Sequence, residues 1–175
     1  MDRISEARGN GPAWTVDRPV STGMLPSMLE HLPDATRIRL VIRPDSAVDS
    51  GPVLAAMDKL FAQFLREGRC SAHGSMALAD GAALVVAWVG EALSGCSHDK
   101  IAGLLTHHRL LDAPPIVVQT AAGWQAVDRA GLRALATAGS LAEEFLDTQV
   151  TDLGALRRSG VRPIADSWLA RVIAR

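Results

Sequence analysis

Two strand-like stretches flank Asp80-Gly81, and this segment constrains the fold more than any other part of the chain. An Asp-Gly pair between such stretches is a strong local indication of a β-hairpin. The first stretch, Cys70–Ala79, alternates between its two faces. The second, Ala82–Val89, reads AALVVAWV and is apolar on both faces. A strand that is apolar on both faces needs neighbours on each side, so this pattern predicts a central strand.

The remaining patterns predict an α+β fold. Segments with the character of strands are Thr36–Arg43, Cys70–Ala79, Ala82–Val89 and Ile116–Gln119. Apolar residues at helical spacing follow Ser50 and again follow Ser97. The resulting order predicts a ferredoxin-like β-α-β-β-α-β sandwich, in which the four strands form one antiparallel sheet and both helices cover one face.

The two ends of the chain are expected to differ in character. Residues 1–35 mix Gly and Pro with charges and show no period, which predicts an N-terminal arm before a single α+β domain at 36–175. A mainly helical C-terminal extension should complete that domain. Its candidate helices are Arg129–Ala138 after Asp128, Leu141–Leu146 and Asp152–Arg158.

Composition excludes several classes of protein. The chain has 175 residues, 48% of them hydrophobic, and 18 Lys and Arg against 19 Asp and Glu. Without a basic surplus, a nucleic-acid partner is disfavoured. Neither a signal peptide nor a transmembrane stretch is apparent, so we expect a cytoplasmic protein with reduced thiols and no membrane partner. Motifs for nucleotide phosphates and dinucleotides are absent, and we predict no cofactor.

The run SGCSHD at residues 94–99 joins the predicted central strand to the second helix. Gly95 is expected to permit a tight turn, which places Cys96 at the helix N-terminus. Backbone N–H groups and the helix dipole favour a thiolate there, and the same groups bind oxyanions or phosphates. Cys96 is therefore the predicted nucleophile. The predicted ligand-binding residues around it are Ser94, Gly95, Ser97 and His98, with the amides of Ser97 and His98 as the anion hole.

Pairing outward from the Asp-Gly turn brings a base to the same end of the hairpin. In that register His73 lies opposite Trp88, near the loop that leads to Cys96. A Cys–His pair activates a thiol. We therefore predict His73 as the base, with Asp99 or Glu91 as the carboxylate that orients its imidazole. This arrangement would suit acyl or thiol transfer on a small-molecule substrate.

Two other interpretations of these residues stay open. Cysteine is among the most buried residue types, so Cys96 also fits a packing role in a non-catalytic binding or assembly module, with a homodimer as one form of it. Alternatively, Cys70, His73, Cys96 and His98 supply enough sulfur and nitrogen for a zinc-stabilised domain. Alternation along a strand places Cys70 and His73 on opposite faces of the sheet, and we therefore predict no metal site.

Three short motifs occur in order along the chain: HG at 73–74, SGCSHD at 94–99 and DSW at 166–168. They resemble an uncharacterised family of small bacterial proteins that carry an S-G-C-S-I-D motif and are often mislabelled as ABC transporter ATPases. His98 replaces the Ile of that pattern. A Walker A loop is absent, so the ATPase label does not fit this chain. The resemblance implies importance for Cys96, His73, Asp99 and Trp168 without implying a reaction.

The C-terminal tail is predicted to dock on the body of the protein. Ile164, Trp168 and Val172 have the spacing of one helical face, and Asp166 or Ser167 is the expected cap. Trp168 is the expected buried anchor. In a second interpretation Trp168 forms a wall of the thiol pocket, where Trp88 is another predicted ligand contact.

Overall fold

The computed structural model describes residues 29–44, 48–90, 93–110 and 115–174. Within these residues the chain forms seven β-strands and five α-helices, which confirms the α+β class. The strands are β1 (Arg37–Ile42), β2 (Ala72–Leu78), β3 (Ala83–Val89), β4 (Ile116–Thr120), β5 (Gly123–Val127), β6 (Leu141–Leu146) and β7 (Val161–Pro163). The helices are α1 (Gly51–Arg66), α2 (Gly95–His107), α3 (Arg129–Thr137), α4 (Leu153–Ser159) and α5 (Trp168–Ile173).

The first sheet has the order β1-β3-β2, and all of its pairs are antiparallel. The predicted central position of β3 is therefore confirmed. The predicted register is also confirmed, because His73 lies opposite Trp88. Four residues, 79–82, join β2 to β3 instead of two. Asp80 and Gly81 both have positive φ in this loop, which the Asp-Gly pair tolerates well.

The predicted fourth strand does not belong to this sheet. β4 lies inside a second antiparallel sheet of order β5-β4-β6-β7, so the complete ferredoxin-like sheet is not formed. In a ferredoxin-like sheet the fourth strand would pair with the free edge of β1. Here the N–H of Ile38 in β1 donates instead to the Thr151 carbonyl at 3.0 Å. β4 is apolar on both faces, and in the second sheet Val117 and Val118 are buried on opposite sides.

The C-terminal part is not mainly helical, because it supplies the second sheet. The helix predicted for Leu141–Leu146 is wrong, because this segment forms strand β6. Leu141 and Phe145 have helical spacing, but Phe145 and Leu146 are buried on opposite faces of the sheet. The helices predicted after Asp128 and from Asp152 are confirmed as α3 and α4. Both aspartates cap them, accepting from the N–H three residues ahead at 2.7 Å.

Three apolar cores define four layers. α1 and α2 cover one face of the first sheet, as predicted for the two helices of that sheet. The other face of the first sheet packs on the second sheet, and α4 contributes to this core. α3 and α5 cover the outer face of the second sheet. Ala83 and Ala87 are fully buried between the sheets, where small side chains allow a close approach.

The end of the predicted arm belongs to this body. Residues 1–28 lie outside the described part of the chain, but Leu29 and Leu32 are buried in the core between the sheets. Arg157 of α4 donates to both of their carbonyls, at 2.6 and 3.2 Å. Gly74 leaves the space that this segment needs, because a Cβ there would lie 2.5 Å from a methyl carbon of Leu29.

The tail docks, but not through the predicted residue. Trp168 is 42% exposed, whereas its neighbour Leu169 is fully buried. Ser167 caps α5 by accepting from the Leu169 N–H at 3.1 Å, so the helix begins only at Trp168. Ile164 lies before the helix. The predicted face running from Ile164 through Trp168 therefore does not form, and the register turns Leu169 inward.

Candidate functional site

Cys96 lies exposed in the first turn of α2. Ser94, and not Ser97, is the N-cap of this helix. Gly95 is its first residue and has open space where a Cβ would stand, so the predicted tight turn at Gly95 is wrong. The exposure of Cys96 contradicts the packing role considered for this thiol. It leaves the sulfur accessible at the end of the helix that favours a thiolate.

The predicted anion hole is wrong in its choice of amides. The N–H groups of Ser97 and His98 both donate to the Ser94 carbonyl, at 2.9 and 3.0 Å, so neither is free for a ligand. The amides of Gly95 and Cys96 have no hydrogen-bond partner among the described residues. The first amides of a helix are those left without a partner inside it. The backbone donors left at this site are therefore two residues earlier than predicted.

Arg69 is the charged residue that the structure adds to this helix start. Its Nη1 donates to the Ser97 hydroxyl at 2.6 Å and lies 3.4 Å from the Ser94 hydroxyl. The two hydroxyl oxygens are 3.1 Å apart, and Ser97 is fully buried. The predicted ligand residues Ser94 and Ser97 thus form a small network that fixes a guanidinium at the first turn of α2.

A carboxylate balances part of the charge of Arg69. Glu67 Oε2 lies 2.6 Å from Arg69 Nε. A hydrogen bond from Gln63, with Arg69 and Lys100 nearby, holds the pKa of Glu67 below its usual value. Arg69 and Lys100 also approach the Phe64 ring, at 5.6 and 5.9 Å. Arg69 and Lys100 thus lie against one ring, and Glu67 is the carboxylate that pairs with Arg69.

A cleft of about 770 Å³ adjoins this network, between the residues before β2 and those after β3. Arg69, Ser94 and Gly90 are among the residues that line it. Gly90 has φ +149°, and a Cβ there would lie 3.2 Å from the Cα of Cys70 and 3.3 Å from the Arg69 carbonyl oxygen. Glycine at this position therefore leaves room for the backbone of Arg69 and Cys70 to pass close to residue 90.

The zinc interpretation finds no support. No group of three or more metal-ligating side chains occurs in the described ranges. Cys70 is 5% exposed in the helix-side core, and burial raises the pKa of its thiol. The expectation that Cys70 and His73 face opposite sides is nevertheless wrong, because β2 begins only at Ala72. Both residues approach Phe61: the Cys70 sulfur lies 3.9 Å from its carbonyl oxygen, and the ring of His73 lies 5.9 Å from its ring.

The structure does not bring His73 to Cys96. Neither side chain makes a hydrogen bond to the other, and both lie within the described residues. Two phenyl rings follow each other from His73 toward Arg69: Phe61 lies 5.9 Å from His73, and Phe64 lies 5.3 Å from Phe61. His73 lines a separate cleft beside α1. A direct Cys–His pair is therefore not part of the site.

The other predicted site residues lie in different parts of the molecule. His98 and Asp99 are exposed on α2, and their side chains bond to no described residue. Glu91 lies outside the described residues. Trp88 is 7% exposed in the helix-side core, and its indole N–H has no partner in the part of the chain described. Trp168 is on α5, and both sheets separate it from α2, so it does not wall this site.

Comparison with known proteins assigns no relative. No family model, curated protein or solved structure matches this chain. Among the helices of the described residues, none has both the length and the apolar character of a membrane span.

Proposed function

We propose that Cys96 is the nucleophile of an acyl-transfer site that takes a small anionic substrate. The observation that carries this proposal is the exposed thiol in the first turn of α2, with Arg69 bonded into the same turn through Ser97. Cys70 offers no second reactive thiol, because it is buried. The Arg69 guanidinium in the same turn as the one accessible thiol favours an acyl donor that carries a carboxylate or phosphate.

The proposed step needs no oxidant. The thiol of Cys96 loses its proton to water, and the thiolate attacks the carbonyl carbon of a thioester or activated ester. The carbonyl electron pair moves to oxygen in the tetrahedral intermediate, near the unpaired amides at the helix start. Collapse re-forms the carbonyl and expels the thiolate or alkoxide, which takes a proton from water. An acceptor nucleophile then removes the acyl group from sulfur by the same sequence of steps. A cytoplasmic location would keep this thiol reduced.

Alkylation with two reagents of different charge tests the site. Iodoacetate is an anion and iodoacetamide is neutral, so the ratio of their rates at Cys96 reports local attraction for anions and cancels the thiolate fraction. Arg69→Gln should lower that ratio about two- to fivefold, as expected for a loss of about 0.3–1 kcal/mol of charge interaction. Arg129→Gln on α3 is the matched control, since both sheets separate it from α2. An unchanged ratio in Arg69→Gln would contradict the proposed anion preference.

The role of the thiol itself needs a separate measurement. Mass spectrometry of the folded protein should show modification at Cys96 and slow or no modification at Cys70. Incubation with small anionic thioesters should then give an acyl adduct in the wild type that Cys96→Ser lacks. If Cys96 reacts no faster than Cys70, or if no thioester acylates it, the proposed nucleophile is wrong.

A further inference from the structure

A second cleft, of about 530 Å³, lies beside the outer edge of β2. α1 forms one wall of this cleft, and the segment that begins at Leu29 forms another. His73, which the thiol site does not use, lines it together with His31. The cleft therefore gathers side chains from three separate parts of the chain.

Only some of the polar groups that line this cleft have a hydrogen-bond partner among the described residues. Ser75 donates its hydroxyl to Asp58 Oδ1 at 2.6 Å, which gives the only carboxylate of the lining a partner. In contrast, His31, His73 and Lys59 make no hydrogen bond or ion pair with any residue described. Three groups that donate hydrogen bonds or carry positive charge are thus left for a ligand.

Packing places the ring of His73 and the segment that carries His31. The imidazole of His73 packs 5.9 Å from the ring of Phe61, which itself belongs to the helix-side core. The segment carrying His31 is fixed by Leu29 and by Arg157, which binds the Leu29 carbonyl at 2.6 Å. The packing of Leu29 against Gly74 brings His31 to the strand that carries His73. Because neighbouring strand residues face opposite sides, His31 on the Gly74 side and His73 on the Phe61 side line the cleft from the two sides of the β2 edge.

We propose that this cleft binds a small anion, a carboxylate or phosphate compound, through His31, His73 and Lys59. Imidazole gains its charge between about pH 8 and pH 5, so the affinity should rise on acidification. Asp58 and Lys59 on α1 and Glu30 beside His31 are the other charged groups around the cleft. Carboxyl and amino groups ordinarily titrate outside this pH window, which leaves the two imidazoles as the source of the pH dependence.

Sulfate is the probe of choice, because its own charge is constant over this pH range. Sulfate is added at constant ionic strength against chloride while the imidazole signals of the full chain are followed by NMR. The signals of His31 and His73 should shift saturably, with binding about tenfold tighter at pH 5.5 than at pH 8, as expected for about 1.4 kcal/mol of added charge interaction. Signals that do not saturate, or that saturate equally at both pH values, would overturn the proposal.

Variants locate the binding. His31→Gln, His73→Gln and Lys59→Gln should each weaken sulfate binding severalfold. His107→Gln, at an exposed position of α2, should not. Because His31 and Lys59 are exposed, their variants should fold normally, and they test the proposal even if His73→Gln does not fold. Binding that persists in the combined His31→Gln, His73→Gln variant would contradict the assignment. Arg69→Gln should leave it unchanged, which separates this cleft from the thiol site.

Discussion

The charge of Arg69 is partly cancelled by Glu67, and this balance sets how strongly the start of α2 attracts an anion. Glu67→Gln removes the carboxylate and keeps the shape of the side chain. The rate ratio of iodoacetate to iodoacetamide at Cys96 should therefore rise about two- to fivefold, the reverse of the change in Arg69→Gln. Because the two changes act in opposite directions, the double variant should return the ratio close to the wild-type value. A ratio that falls in Glu67→Gln would contradict the partial cancellation of charge.

The lowered pKa of Glu67 predicts a pH range in which its interactions stabilise the fold. Because the folded value is below the ordinary 4.5, the hydrogen bond from Gln63 and the nearby cations contribute to stability above the unfolded pKa, and this contribution is lost as pH falls through the folded value. Carboxyl titration by NMR should place Glu67 below 4.5 in the wild type. Gln63→Ala should move the titration upward, because Gln63 supplies the leading hydrogen bond. A midpoint that Gln63→Ala leaves in place would refute this cause.

Two glycines near the site should respond oppositely to the same substitution. Gly90→Ala combines a positive φ with contacts near 3.2 Å, and should lower the free energy of unfolding by about 1–3 kcal/mol. Gly95→Ala meets open space at the first position of α2 and should raise it by up to about 1 kcal/mol. Denaturant unfolding measures both. If Gly95→Ala is the more damaging change, Gly95 has a role that its helical geometry does not explain.

At the level of elements, α5 is anchored by Leu169 and not by Trp168. Leu169→Ala should cost about 2–5 kcal/mol, since the side chain is fully buried against the second sheet. Trp168→Ala should cost less, about 1–2 kcal/mol, because the residue is 42% exposed. Thermal melts of the two neighbouring variants provide the comparison. A larger loss in Trp168→Ala would restore the indole as the anchor.

Local patterns predicted single elements better than their assembly. The hairpin register around Asp80-Gly81 and the caps at Asp128 and Asp152 depend on contacts within a few residues, and these predictions are confirmed. The sequence of β6 also predicts a helix, because Leu141 and Phe145 are four residues apart and this spacing fits one face of a helix as well as one face of a strand. Only the second sheet, which buries Phe145 and Leu146 on opposite faces, decides between them.

The candidate site shows the same limit. Cys96 at the start of α2 could be predicted from SGCSHD, but the free amides depend on the N-cap, which is Ser94, three residues before Ser97. Arg69 was missed, although the hairpin register already placed its neighbour Cys70 opposite the loop before α2. Partnership between His73 and Cys96 could not be judged from sequence, because the contact that holds the His73 ring against Phe61 forms only in the folded chain.

For the whole molecule, the core between the sheets predicts one unfolding transition. It joins residues from both sheets, α4 and the segment at Leu29, so neither sheet retains a buried inner face without the other. Calorimetric and van't Hoff enthalpies should therefore agree. Ala87→Leu, which overfills the contact between the sheets, should lower the midpoint while keeping a single transition. Two separated transitions in the wild type would contradict a shared core.

The unequal burial of two indoles gives the protein an optical label on each outer layer. The chain has four tryptophans and no tyrosine, so its near-ultraviolet emission comes almost wholly from indole. Trp88 lies beneath α1, apart from solvent, and should emit at shorter wavelength, whereas Trp168 on α5 should emit at longer wavelength and be quenched by iodide. In a variant that keeps only these two indoles, with Trp14→Phe and Trp124→Phe, emission colour would distinguish the helix layer of the first sheet from that of the second, without any attached dye.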